Sequence, residues 1–228
     1  MREGENMIYN TTNLFCIIGK PYSGKSTLMN ELLKRENITN LGIKKLVYGT
    51  TREQRINEVN GESYNFVSLS EFENINEDDI IESRIYDDII TGNSYYYFTL
   101  KSDIKLGNNY LMECTIFQYE ELKKWIMIRQ LRSSTNRMNI YPIVINSSIF
   151  ERLKRGLKNV HTEDDVYRYI DKILSERFEF TTAIKNNPEL SDYHNPDTYI
   201  IENKDNGFVQ ISVAVNNIEK FIVEKLTK

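Results

Sequence analysis

The chain has 228 residues, 33 acidic and 29 basic side chains, and a formal net charge of −4. That length supports one well-cored domain with inserted flaps, and the interspersed charge leaves no overall basic face of the kind nucleic acid requires. Two cysteines and two histidines are too few for a disulfide framework or a zinc centre, no apolar run approaches membrane-spanning length, and Met1–Asn6 lacks the apolar centre of an export signal, so the expectation is a cytoplasmic protein with no membrane partner.

Leu14-Phe15-Cys16-Ile17-Ile18 is an unbroken apolar run and reads as a buried strand. Gly19-Lys20-Pro21-Tyr22-Ser23-Gly24-Lys25-Ser26-Thr27 follows, and it fits G-x-x-x-x-G-K-[ST] at every fixed position. Leu28, Leu32 and Leu33 then return at helical spacing, which predicts a helix from Lys25 to about Glu36. Strand, glycine loop and helix in that order make a phosphate cradle. Glycines let backbone N–H groups wrap an anion, and the helix aims its positive end at it. Lys25 can reach the β- and γ-phosphates, and the Ser26 hydroxyl can ligate Mg²⁺. The loop binds a nucleoside triphosphate; it does not say where the phosphoryl group goes.

Leu46-Val47-Tyr48 reads as a short strand, ending in Gly49-Thr50-Thr51-Arg52-Glu53-Gln54-Arg55 and a polar turn through Asn60-Gly61. Tyr64–Ser68 alternates as a half-buried strand, and Ser70 with Glu73 offers a capping box. Ile80–Ile90 and Tyr95–Leu100 form a strand pair across Thr91–Ser94. Residues 51–100 thus read as a small β-rich insertion.

The α/β rhythm resumes with a strand at Tyr110–Cys114 and a helix from Glu120 to about Leu131. A strand at Ile140–Ile145 carries Pro142, which should sit near an end or an edge. Ile149 to about Val160 is a basic helix, and Thr162 caps a long helix ending before Pro188. A strand at Thr198–Ile201 and a helix from Val209 to about Leu226 close the chain. The fold class is α/β, a P-loop NTPase fold with a mainly parallel sheet between helices. The expected division is a core (9–50, 101–146 and 178–228), the insertion at 51–100 and a helical lid at 147–177.

At these residues the chain resembles the guanylate kinases. Thr50-Thr51-Arg52-Glu53-Gln54-Arg55, continuing through Glu58-Val59-Asn60-Gly61-Glu62-Ser63-Tyr64-Asn65-Phe66-Val67-Ser68, is similar to the family's T-T-R-x-x-R … G-E-V-N-G-x-x-Y-x-F-V-S. Ile81-Glu82 with Tyr96-Tyr97-Phe98-Thr99 resembles its I-E … Y-Y-G-[ST]. The resemblance spans nearly the whole chain and looks closest to a short branch found in Gram-positive bacteria and their phages.

The resemblance implies transfer of the γ-phosphoryl of ATP to GMP, with Mg²⁺. It implies that Gly19, Ser23, Gly24, Lys25, Ser26 and Thr27 hold the ATP phosphates, with Asn203 near the adenine. Arg52 and Arg55 would clamp the GMP phosphate, and Tyr64 and Tyr97 would donate to it. Tyr95 and Tyr96 compete with Tyr97 for that place. Glu82 would accept from guanine N1–H and the amino group, with Thr99 beside it; a solvated strand glutamate is the equal alternative. Arg155 and Arg168 would be lid arginines on the transferring phosphoryl, with Arg152 and Lys158 as alternates. Glu113 would stand with Ser26 on the Mg²⁺ side.

Two positions depart from the family. Tyr48 stands where the family has a guanine-contacting serine, and Thr115 stands where it has an acid. They keep open a P-loop kinase for a different acceptor. A non-catalytic guanylate-kinase-like module binding a phosphorylated partner is the other alternative, and Lys25 and Ser26 count against it.

Overall fold

The computed structural model describes residues 11–132, 137–203 and 208–227, without the side chains of 176–179 and 208–210. The tract before Tyr9 lies outside the described residues. The chain folds around β1 (Thr12–Gly19), which is buried at every position. Its neighbours are β7 (Asn109–Cys114) and β8 (Met138–Asn146), both parallel to it. Outside them lie β2 (Ile43–Lys45) and β9 (Tyr199–Glu202), giving a five-stranded parallel sheet in the order β2-β7-β1-β8-β9.

The period of two in β1 sorts the core onto two faces. Leu14, Cys16 and Ile18 pack with α4 (Ile116–Arg132) through Tyr119, Leu122 and Ile126, and with Phe180 and Ala183 of α6 (Glu163–Asn186). Phe15 and Ile17 pack on the other side, against Leu28, Met29 and Leu32 of α1 (Lys25–Leu33) and Ile218 and Ile222 of α7 (Phe208–Thr227). A strand covered on both faces is apolar throughout, which is how its sequence reads.

A second sheet of four strands stands beside the first, in the order β4-β3-β6-β5. It is built from β3 (Gly49–Thr50), β4 (Asn65–Phe66), β5 (Ile80–Asp87) and β6 (Ser94–Leu100). The expected strand at Leu46–Tyr48 is instead the passage between the sheets. Leu46 N–H still bonds Leu111 O of the large sheet at 3.0 Å, while Tyr48 O accepts from Asn65 N–H of the small one at 3.0 Å. The chain stays extended but changes partner.

Other boundaries move for identifiable reasons. The first helix stops at Leu33, and Glu36–Asn40 forms a separate short helix, α2, behind an extended Arg35. The helix α3 (Leu69–Glu73) is capped by Ser68 with Glu71, not by Ser70 with Glu73. Helix α4 starts at Ile116, a turn before the expected Glu120. Pro142 lies mid-strand in an interior strand. However, β9 joins β8 only from Ile143, so at Pro142 one side has no ladder to lose.

Helix α5 (Ile149–Leu157) and the first part of α6 cover the P-loop side. Thr162 caps α6 in a capping box with Asp165. Gly156 of α5 lets the two helices close. A Cβ there would run into the Tyr169 ring of α6, and the Tyr169 hydroxyl donates to Leu153 O at 3.0 Å. Helix α6 runs unbroken past residue 177 to Asn186.

Candidate active site

The donor loop is shaped by two left-handed residues, Tyr22 at φ 60 and Gly24 at φ 101. Gly24 is the N-cap of α1, with no side-chain cap and no acid in the first turn. The first N–H groups of that helix are therefore left for an anion, aligned with the helix dipole. Gly24 also admits a neighbour: a Cβ there would stand 2.9 Å from Asn203 Nδ2.

Side chains from four segments brace this loop. Lys25 Nζ donates to Gly19 O at 2.7 Å and to Lys20 O at 3.2 Å, which holds it folded over the loop. Asn203 Nδ2 donates to Ser23 O at 2.7 Å. Arg155 Nη1 reaches Tyr22 O at 3.1 Å, Ser23 O at 3.3 Å and Ser147 Oγ at 3.1 Å, so α5 is tied to the phosphate loop. The Ser23 hydroxyl is buried with no partner among the described residues. Thr27 is exposed in the first turn of α1. Ser26 Oγ donates to Glu113 Oε2 at 2.9 Å. A hydroxyl and a carboxylate at the mouth of a phosphate loop are hard oxygen donors, the set that suits Mg²⁺.

The acceptor side is assembled by the second sheet. Arg52 is only 9% exposed and makes a bidentate pair with Glu58, at 3.0 and 2.7 Å. Its Nε donates to Tyr97 Oη at 3.2 Å, and Nη1 also to Glu53 O at 2.6 Å. Tyr64 stacks in the same cluster, with Arg52 5.4 Å from its ring centre and Tyr97 at 5.8 Å. Among Tyr95, Tyr96 and Tyr97, it is thus Tyr97 that meets the arginine. Burial alone would raise the Glu58 pKa, but the hydrogen bonds and charge of Arg52 hold it below the ordinary carboxylate value. Arg55 gives its backbone N–H to Glu58 at 2.8 Å and leaves its side chain exposed.

At the other end of the cleft, Glu82 is 5% exposed. Its Oε1 accepts from Thr99 Oγ1 at 2.7 Å and from Gln118 Nε2 at 3.1 Å. Its Oε2 is buried and has no partner among the described residues. Burial raises the Glu82 pKa; the hydrogen bonds from Thr99 and Gln118 pull the other way without cancelling it. Leaving a buried acceptor unpaired costs about 1–3 kcal/mol. An oxygen kept in that state marks a place for a donor from outside.

Gln118 is a site residue beyond those the family resemblance implies, though its signal lies in the sequence. Thr115-x-x-Gln118 is a capping box for α4. Gln118 N–H bonds Thr115 Oγ1 at 3.2 Å, and Gln118 Oε1 takes Thr115 N–H at 3.1 Å. That box fixes the amide so that Nε2 points at Glu82. Thr115, standing where the family has an acid, is the cap that begins this helix. Tyr48 packs edge-on to Tyr64, with ring centres 5.2 Å apart, and burial pushes its hydroxyl pKa well up. It lines the acceptor cleft as a neutral phenol.

The expected lid arginines separate. Arg155 lies on the donor loop. Arg168 bonds Asp88 at the tip of the β5–β6 hairpin, with Nε 3.0 Å from Oδ2, and so joins the lid helix to the second sheet. Arg152 is buried in α5, and Lys158 follows that helix's end.

The chain is similar to known proteins in sequence and in fold. The family profile described as guanylate kinase matches residues 11–188. A guanylate kinase of Blochmanniella floridana is 30% identical over 170 residues, covering 72% of this chain and 73% of that one. One from Mesomycoplasma hyopneumoniae strain 7448 is 38% identical over 158 residues, covering 68% and 74%. The fold is similar to the crystal structure of guanylate kinase from Anaplasma phagocytophilum, with a TM-score of 0.56 at 20% identity over 98% of this chain and 90% of that one. With a matching profile over most of its length and curated relatives at this identity, the chain belongs to the guanylate kinase family.

Proposed function

We propose that the protein transfers the γ-phosphoryl of ATP to GMP, giving ADP and GDP. The observation that carries this reading is the buried Glu82 carboxylate, whose unpaired Oε2 suits the N1–H and amino donors of guanine. Thr99 and Gln118 hold its other oxygen and fix its plane.

The parts divide the work by position. The loop at 19–27 and the start of α1 bind the ATP phosphates. Lys25 leaves the Gly19 and Lys20 carbonyls for the β- and γ-phosphates. Arg55, Tyr64 and Tyr97 receive the acceptor phosphate, and Arg52 is held in place beside it by Glu58. Arg155, already on the loop backbone, neutralises the transferring group, and Arg168 joins it when the lid closes. Residues 147–177 act as that lid and residues 51–100 as the acceptor flap. Ser26 and Glu113 would hold Mg²⁺, which when bound draws charge from the phosphate oxygens. Catalysis is then positioning and charge neutralisation, with water excluded by closure. The cytoplasm is the compartment in which this reaction fits the composition.

Tyr48 supports a second reading, a kinase for another nucleotide, because a phenol lines the cleft where a small hydroxyl is the family pattern. An ADP-release assay with ATP–Mg²⁺ against GMP, dGMP, AMP, CMP and UMP decides. Turnover confined to GMP and dGMP is expected. Faster turnover of another acceptor defeats guanine recognition, and ATP binding without any turnover defeats the kinase reading.

A further inference from the structure

Arg84 belongs to none of the roles described so far. It sits on β5 two residues after Glu82, so both side chains emerge from the same face of the strand. Its cross-strand partner is Tyr97, as Thr99 is that of Glu82. The guanidinium lies over the Tyr97 ring, 5.3 Å from its centre. A ring face satisfies the cation's charge but takes none of its in-plane N–H donors. Arg84 Nε is buried and has no hydrogen-bond partner among the described residues. One strand face therefore holds two atoms without hydrogen-bond partners among the described residues, an acceptor on Glu82 and a donor on Arg84, close enough for the Arg84 charge to act on the carboxylate.

Guanine is complementary to that pair. Its N1–H and amino group are donors, and the adjoining O6 and N7 are acceptors. A guanidinium fork is the side chain that reads O6 and N7 together. Two positions on one strand are about 7 Å apart, so one group can face the donor edge while the other faces the acceptor edge. Adenine shares only N7: it presents an amino donor where guanine has O6, and a bare nitrogen to the carboxylate where guanine has N1–H.

We propose that Arg84 is a specificity-determining residue that donates to O6 and N7 of the acceptor guanine while Glu82 accepts from N1–H and the amino group. The proposal rests on the GMP reading above. It assigns the acceptor edge of the base to an arginine in a cleft where Tyr48 replaces the small hydroxyl.

The test compares acceptors that differ by one group, with the full-length protein and ATP–Mg²⁺. The wild type should use GMP with kcat/KM about 10- to 100-fold above that for 7-deaza-GMP, which lacks only N7, and for 6-thio-GMP, in which a weakly accepting sulfur replaces O6 while N1–H and the amino group stay. Arg84→Met should cost GMP more than it costs either analogue, because each analogue has already lost one of the two contacts. The GMP-to-IMP ratio should hold, because IMP differs only at the amino group that Glu82 reads. Arg84→Lys, which keeps the charge but loses the fork, should fall between. ATP binding and Tm of each variant check folding, and the wild-type comparison needs no variant at all. Wild-type indifference to N7 and O6 overturns the proposal, as does an equal loss by Arg84→Met on every acceptor. Absence of GMP turnover in the wild type overturns the underlying reading as well, and so is distinguishable from a failure at Arg84 alone.

Discussion

The donor and acceptor sites are built on opposite plans. The donor loop is nine consecutive residues between a strand and a helix, and apart from the buried Ser23 hydroxyl its polar groups are largely met by the protein itself. Lys25 is folded onto Gly19 and Lys20 carbonyls, Ser26 onto Glu113, and Asn203 and Arg155 onto Ser23 O. The acceptor cleft draws on Arg52, Tyr64, Glu82, Tyr97, Thr99 and Gln118 from separate segments, and it keeps Glu82 Oε2 and Arg84 Nε unpaired. A phosphate loop tolerates self-satisfaction because every triphosphate presents the same oxygens. A base pocket must hold unmet donors and acceptors, since those are what distinguish one base from another.

The largest expected effect separates the two sites. Lys25→Ala should lower kcat by about 10³-fold or more, with GMP affinity little changed. A variant that kept full turnover would place the chemistry elsewhere.

Glu82→Gln should act on the other side. It should lower kcat/KM for GMP by about 10²-fold, with ATP affinity retained. The pH profile sharpens this. Burial raises the Glu82 pKa, so as pH falls the carboxylate is lost earlier than an exposed glutamate would be. KM for GMP should therefore rise on the acid side at a higher pH than an exposed glutamate would give, and that limb should vanish in Glu82→Gln. The linkage has a matching sign. A raised acid favours the fold below its unfolded pKa, and that contribution is lost as pH rises through the folded value. At neutral pH the free Glu82→Gln protein should thus melt higher than wild type. A lower Tm would mean that the carboxylate is satisfied in a way the unpaired oxygen does not reveal.

Gly156→Ala tests the packing that brings the lid to the donor loop. Its Cβ would meet the Tyr169 ring, and overpacking of this kind costs about 1–3 kcal/mol in urea unfolding. Because Arg155 is the next residue, kcat should fall with it. An unchanged urea midpoint would show that Tyr169 can turn away freely.

The smallest effect should come from Asp88→Asn, which weakens the partly buried bridge to Arg168 and keeps an oxygen for the turn N–H groups of Ile90 and Thr91. It should change stability by less than about 1 kcal/mol. Its value lies in contrast: if Arg168 serves the phosphoryl group, Arg168→Ala should lower kcat while Asp88→Asn does not. Equal effects would make the pair a strut between lid and flap.

Much of the donor site was legible before folding was considered, because a phosphate loop is local geometry. The spacing of Gly19, Gly24, Lys25 and Ser26 states it, and the apolar run in β1 places it at the end of a buried strand. The arginines and tyrosines of the flap were legible as a pattern, although Glu58, which holds Arg52, carried no separate signal as its partner. The capping box at Thr115 and Gln118 is written in the sequence, one turn ahead of the helix start at Glu120 that the apolar spacing predicts.

Tertiary structure alone decided the rest. Only the fold brings Gln118 to Glu82, 36 residues away, and carries Asn203 across 180 residues to Ser23. Only the fold sends Arg155 to the phosphate loop and Arg168 to Asp88, though both stand in one basic stretch. It also lets Pro142 sit in an interior strand by starting β9 one residue later. The physical reason is the range of the forces involved. Turns, caps and helix ends follow from the dihedral and hydrogen-bond preferences of neighbouring residues, so sequence determines them. The partner of a charged side chain depends on which segment the packed core delivers beside it.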